Sequence, residues 1–324
     1  MAVMTYLDAI ADGLREAMRA DPSVFLLGED VAVYGGAFKL TKGFIEEFGP
    51  RRVIDTPISE AAIVGAAIGA ALVGLRPVAE MQFADFISNA FNQIVNVAAT
   101  SAYRAGGCVP IVIRAPCGAG THGGPFHSQS IEAQFFHTPG LKIVMPSTPA
   151  DAKGLILAAI ADPNPVLYLE HKALYRSQRG PVDGGLTSVP LGKALLRRPG
   201  RDVTLITYGM MVHRSLEAAE EAAREGVEAE VIDLRTLLPL DLDTISESVR
   251  RTSRVLIVHE DHLRGGLGAE IAAYVGQHLF TSLDAPISRI GAPDTPVPYA
   301  PALETAYLPD AARIRGAILD LARW

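Results

Sequence analysis

The sequence predicts an α/β fold in two domains, each a mainly parallel sheet flanked by helices. Three observations lead there. Short apolar runs alternate with helical patterns, and this series occurs twice along the chain. Several of the apolar runs lack any in–out alternation, as strands covered on both faces do; VPIVIRAP at 109–116 is the clearest. A stretch rich in Gly, Pro and Arg, 176–202, separates the two series. The chain has 324 residues, 49% of them hydrophobic, which is enough for two cores.

In chain order, Leu7, Ile10, Leu14 and Met18 recur at helical spacing. VFLLGED (24–30) reads as a buried strand that ends in acids, and RVIDTP (52–57) as a second, short strand. Glu60 then opens a run of Ala, Gly, Ile, Val and Leu from 61 to 75, expected to be a helix buried between other elements. RPVAEMQF (76–83) is a strand, and 85–107 a long helix stopped by Gly106 and Gly107. After the 109–116 strand comes a Gly- and His-rich loop, CGAGTHGGPFHSQS (117–130). LKIVMPS is a strand, the next helix starts with Pro149 at its first position, and PVLYLEHK is a strand. The second series runs VTLITYG, SLEAAEEAAREG, AEVIDLRT, a helix around 242–251, VLIVHED, LGAEIAAYVGQHLF and PISRIG. It predicts a smaller doubly wound unit. The expected division is 1–180 for the first domain, 181–200 for a linker and 201–324 for the second.

The net charge of −7 argues against nucleic acid as the main partner. The run at 61–75 is shorter than the roughly 20 residues that span a membrane, so no membrane partner is expected. The opening residues lack a basic region and an unbroken apolar core, so no signal peptide is expected. Two cysteines, Cys108 and Cys117, make no disulfide framework and suggest a reduced, cytoplasmic protein.

The chain has no Walker A sequence, no HExxH and no GxSxG. GGLGAE at 265–270 lacks a full GxGxxG and reads as a tight turn onto a helix. His122, His127 and His137 stand in or just beyond the loop that leaves a buried parallel strand, where ligands bind. Each of them alone would more often serve a packed loop. No carboxylate lies between His122 and His127, so acid–base work suits them better than metal ligation.

Taken together, LGEDVAVYGGAFKLTKGF, DTPISEAAIVGAAIGAALVGLRPVAEMQFADF, NQIVN, RAPCGAGTHGGPFHSQSIEAQFFHTPGLKIVMPSTPADAKGLI, NPVLYLEHKALYR and GGLGAE resemble one family throughout the chain. It is the beta subunit of the thiamine-diphosphate-dependent decarboxylating component of 2-oxo acid dehydrogenase complexes. The resemblance implies a transketolase-like pyrimidine-binding domain followed by a transketolase C-terminal domain. It implies an alpha subunit partner in a two-alpha, two-beta heterotetramer, and a lipoyl acyltransferase core bound through its peripheral-subunit-binding domain. In the family the diphosphate and Mg²⁺ are held by a GDG motif and a later Asn. GDG is absent here, so Mg²⁺ is expected mainly on the alpha subunit.

The resemblance also assigns residues. Glu60 would face a ring nitrogen of the aminopyrimidine and favour the tautomer that takes up a proton. On its own, Glu60 is an ordinary first-turn acid favoured by the helix dipole. Phe86 would stack on the pyrimidine, Ile58 would meet it through its backbone, and Glu29, Ser59 and Gln82 occupy matching pocket positions. Phe83, His122 and His127 fall at substrate positions, with His127 assisting proton transfer in reductive acylation of the lipoyl group. A structural K⁺ is implied near 109–112 and 159–164, with Asp162 and Asn164 as side-chain positions. HSQSIEAQFFHTPGLK is more similar to the branched-chain members, which implies oxidative decarboxylation of branched-chain 2-oxo acids. Pyruvate dehydrogenase and acetoin dehydrogenase beta subunits are the alternatives, and a noncatalytic assembly subunit is the rival from another class.

Overall fold

The computed structural model describes residues 1–324. They form two compact units. The first comprises 1–118 and 134–191, the second 119–133 and 192–324. The Gly- and His-rich segment, which the sequence places inside 1–180, thus packs as part of the second unit, while 181–191 belong to the first.

In the first unit six parallel strands lie in the order Lys142–Val144, Val166–His171, Val112–Cys117, Arg76–Glu80, Val24–Gly28 and Val53–Asp55. All residues of Val24–Gly28, Val112–Cys117 and Val166–His171 are buried, which explains their lack of alternation. Strand Val24–Gly28 has Val53–Asp55 on one side and Arg76–Glu80 on the other. The chain therefore reverses its direction of advance through the sheet here, and the carboxyl ends of these three strands flank the switch point where α/β sheets bind ligands.

A buried ion network ties this sheet together. Arg114 bonds Glu170 through Nε (2.7 Å) and Nη2 (2.9 Å) and reaches Glu80 through Nη1; Tyr175 donates to Glu170 at 2.6 Å. Burial pushes the Glu80 carboxyl up, and the Arg114 charge opposes that. Flanked by two carboxylates, the Arg114 guanidinium is held cationic despite burial.

Two expectations change. The helix Glu60–Leu72 is not buried all round. Ile63, Val64, Ala67, Ile68 and Ala71 face the core, while Ala62, Gly65, Ala66, Gly69 and Leu72 are exposed. Its composition is apolar on both faces, so periodicity carried no signal of which face was open. The long helix expected at 85–107 is three pieces: a 3₁₀ segment Ala84–Ala90, a π segment Gln93–Ala98 and an α segment Ser101–Ala105, closed by left-handed Gly106. Polar side chains compete with the helical ladder here. Thr100 donates back to the Asn96 carbonyl at 2.7 Å, and Asn96 donates to the Asn92 side chain at 2.9 Å.

In the second unit five strands lie in the order Ser288–Ala292, Val255–His262, Val203–Thr207, Ala229–Asp233 and Leu195–Arg198, the last antiparallel to its neighbour and the others parallel. Helices Met210–Arg224 and Ala311–Ala322 cover one core with Leu205, Val231, Leu256, Val258, Ile314 and Ile318. GGLGAE is a turn, with Gly265 at φ +69° before helix Leu267–His278. No helix of the structure is long and apolar enough to cross a membrane.

Candidate active site

In the first unit the three strands at the switch point deliver the predicted residues to one end of the sheet. Glu29 follows Val24–Gly28, Ile58–Glu60 follow Val53–Asp55, and Gln82, Phe83 and Phe86 follow Arg76–Glu80. Gly28 is required where it is, because a Cβ there would come 2.7 Å from the Glu80 carbonyl. Glu60 is the first residue of its helix and only 6% exposed. Ser59 is the N-cap but makes no side-chain cap bond, so the favourable first-turn charge is that of Glu60 itself.

The Glu60 carboxylate accepts from Asn89 Nδ2 at 3.2 Å. Glu29 is also 6% exposed, and its Oε1 has no partner. Burial pushes the Glu29 carboxyl up, and the nearby Glu60 charge adds to the rise, with a smaller contribution from Asp30. The Glu29 carboxyl therefore takes up a proton more readily than an ordinary carboxylate, beside the Glu60 side chain. Phe83 and Phe86 pack edge to face with ring centroids 6.1 Å apart, and Phe83 extends the contact to Phe38 at 5.6 Å. Ile58, by contrast, is 83% exposed.

Asp162 and Asn164 are in place but engaged. The Asp162 carboxylate holds Lys142 Nζ with one oxygen and the Asn164 backbone N–H, at 2.9 Å, with the other. The Ile160 and Asp162 carbonyls accept from Arg76. A K⁺ would meet two fixed cations here, so these groups do not fit it well. No group of three or more His, Cys, Asp or Glu is arranged to hold a metal.

In the second unit the segment 119–133 lies at the carboxyl ends of the parallel strands. Its start is tied by Ala119 N–H to Glu260 Oε1 at 2.6 Å, and Ala119 packs with Ala292, Val297 and Tyr307. His122 Nδ1 is 2.6 Å from Glu304 Oε2. Glu132, fully buried, accepts from the Tyr208 hydroxyl at 2.7 Å, and its other oxygen has no partner. Burial, reinforced by the Asp261 charge, pushes the Glu132 carboxyl up to about 8. His259, stacked 6.4 Å from Tyr208, is pushed down to about 4 by burial. His127 follows the short 3₁₀ turn Gly124–Phe126. His137 is exposed and lies in the first unit.

The sequence reading missed Asn89, Glu132, Glu260 and Glu304. Each is a single polar residue whose partner lies 29 or more residues away, so no spacing in the sequence announces it.

Comparison with known proteins places this architecture. The transketolase pyrimidine binding domain matches residues 2–178, and the transketolase C-terminal domain matches 192–314. A solved split-gene transketolase, described as an inactive beta4 tetramer, superposes with a TM-score of 0.81 at 25% identity, covering 99% of this chain and 98% of that one. These two domains define the transketolase class. Among curated proteins, the 2-oxoisovalerate dehydrogenase subunit beta of Bacillus subtilis is 50% identical over 327 residues, with 100% of each chain covered. The acetoin:2,6-dichlorophenolindophenol oxidoreductase subunit beta of Cupriavidus necator is 47% identical, covering 95% of this chain and 94% of its own. The pyruvate dehydrogenase E1 component subunit beta of Bacillus subtilis is 45% identical, with 96% of each covered. The chain belongs to the family of transketolase-like beta subunits of the decarboxylating component of 2-oxo acid dehydrogenase complexes. That family is thiamine-diphosphate-dependent, and a beta subunit implies an alpha partner.

Proposed function

We propose that this beta subunit, with its alpha partner, carries out oxidative decarboxylation of branched-chain 2-oxo acids and reductive acylation of a lipoyl group. The observation that carries the reading is the pairing of buried Glu60 with Asn89 beside Glu29, whose Oε1 has no partner, at the sheet's switch point. Thiamine diphosphate, when bound, supplies the electron sink that a 2-oxo acid needs in order to lose CO₂. The protein's part is electrostatic. Glu60 would share a proton with the ring nitrogen of the aminopyrimidine, and Asn89 orients the carboxyl group that does so. Glu29, kept protonated more readily by burial and by Glu60, gives the pocket a second proton-sharing group. Phe86 offers a ring face, Gln82 and Ser59 polar contacts, and the backbone at Ile58 an acceptor or donor for the ring. In the second unit His127 moves a proton during acyl transfer, with His122 beside it in sequence as a second group; Phe83 lines the way to the substrate.

Mg²⁺ is assigned to the alpha subunit, in keeping with the absence of a GDG motif from this chain. The heterotetramer of two alpha and two beta chains, the docking of an acyltransferase's peripheral-subunit-binding domain on the C-terminal domain, and a cytoplasmic setting complete the reading. Support for the last comes from two cysteines that form no disulfide. The structural K⁺ is the weakest fit, since Asp162 already holds Lys142.

The relatives named for 2-oxoisovalerate, acetoin and pyruvate lie within a narrow range of identity, 50%, 47% and 45%. Substrate choice is therefore tested directly. The reconstituted heterotetramer is assayed with 3-methyl-2-oxobutanoate, pyruvate and acetoin. Preference for the branched-chain acid supports the proposal, and a strong preference for either of the others overturns it.

A further inference from the structure

We propose that Glu304 is a positioning residue for the histidine loop: it accepts a hydrogen bond from His122 Nδ1–H and thereby makes Nε2 the nitrogen at which that ring gains and loses protons. The inference rests on the proposed work of His122, but its geometry stands apart from that reading. Glu304 is 1% exposed. Its Oε1 accepts from the backbone N–H of Gly120 at 3.0 Å and of His122 at 3.2 Å, and its Oε2 lies 2.6 Å from His122 Nδ1. Three donors thus converge on one carboxylate. The loop bends to make this possible. Gly120 adopts φ +87°, open to glycine alone, and His122 itself adopts φ +60°, a conformation that a residue with a Cβ takes only where its surroundings hold it there.

The chemistry follows from the pairing. An ionised carboxylate only accepts, so the nitrogen facing it carries hydrogen. In the neutral ring that places the proton on Nδ1 and leaves Nε2 as the acceptor; in the imidazolium both nitrogens carry hydrogen. Between the two states only Nε2 changes. The His122 side chain is 53% exposed while that of Glu304 is 2% exposed, so a buried carboxylate anchors a ring that is itself accessible. A carboxylate that orients a working histidine and selects its tautomer is an established device. Glu304 takes no catalytic step itself; its carboxylate acts through the loop N–H groups and the ring.

The test uses the full chain labelled with ring-¹⁵N histidine, with the His122 signals assigned by H122Q. In the unsubstituted chain the neutral ring is expected to show a protonated Nδ1 and an unprotonated Nε2. A protonated Nε2 there overturns the proposal without any variant. In E304A the Nε2–H form is expected to become the larger population; an unchanged tautomer overturns the proposal. The reconstituted heterotetramer carrying E304A is then compared for decarboxylation and for lipoyl acylation. If His122 works in acyl transfer, acylation falls at least tenfold, part of the about 10²–10⁴-fold that a positioned acid–base group supplies, while decarboxylation with an artificial electron acceptor is retained. A shifted tautomer with unchanged acylation supports the role of Glu304 and removes His122 from the reaction. A lowered acylation with the tautomer unchanged refutes Glu304 as the positioning group.

Discussion

Asn89 Nδ2 donates to Glu60 Oε2 across 3.2 Å, joining a 3₁₀ segment to the first residue of a helix 29 positions earlier. The bond orients an acid that is only 6% exposed. Removing it by Asn89→Ala leaves the acid in place but free to turn. A loss of about tenfold in kcat is expected, the equivalent of roughly 1.4 kcal/mol, with little change in the apparent affinity for substrate. Steady-state kinetics of the reconstituted enzyme check it; an unchanged kcat removes Asn89 from the site.

Glu60→Gln keeps the shape and abolishes the charge. Decarboxylation is expected to fall by about 10²–10⁴-fold, the scale of a positioned proton-transfer group, while association with the alpha subunit persists. Activity and gel-filtration profile are measured on the same preparation. Retained activity would sink the catalytic role, and lost assembly would make Glu60 a structural acid.

Arg114→Leu strikes under the site. It leaves Glu80 and Glu170 buried without their cation. Breaking a buried pair in this way costs about 3–5 kcal/mol. Urea unfolding is expected to show the loss in the first unit. A variant as stable as the parent would mean that the two carboxyls simply take up protons when the cation is gone.

Much of this was legible in the sequence. Runs such as VPIVIRAP lack alternation because both faces are covered, and the structure buries all of Val112–Cys117. Glu60 stood out because it is the sole acid before fifteen apolar residues. The partners were hidden. Asn89 lies in a segment whose winding changes from 3₁₀ to π, a change set by side-chain competition and tertiary packing rather than by periodicity. Gly140 shows the packing, since a Cβ there would come 2.0 Å from the Ala99 carbonyl. Likewise, nothing near Glu304 in the sequence signals that its carboxylate closes on residues 120–122.

Glu132 supplies a pH dependence whose sign is fixed. Burial and the Asp261 charge raise its carboxyl to about 8 in the folded chain, against about 4.3 when unfolded. The folded state therefore binds more protons between these values. Its contribution to stability is full below the unfolded value and is lost as pH rises towards about 8. Glu132→Gln removes this proton while retaining an acceptor for Tyr208. The variant is expected to gain stability relative to the parent as pH rises through that window, by up to about 1.4 kcal/mol per pH unit. Chemical unfolding at a series of pH values tests it; parallel stability curves would show that Glu132 ionises normally in the folded chain.

Gly124 carries the loop past Tyr299. It adopts φ +64°, and a Cβ there would lie 2.3 Å from the Tyr299 ring. Gly124→Ala therefore meets two separate obstacles, a left-handed backbone and a ring. The backbone strain alone is of order 1–3 kcal/mol, and for a unit of this size each kcal/mol lowers Tm by roughly 2–4 °C. The variant is expected to melt several degrees lower and to lose acyl transfer more than decarboxylation, because Gly124 opens the turn that sets His127. The double variant with Tyr299→Ala separates the two causes. It relieves the clash and leaves the strain, so acyl transfer is expected to recover in part while Tm stays below that of the parent. If the double variant is no better than Gly124→Ala, the ring is not what holds the loop, and the left-handed turn alone sets the position of His127.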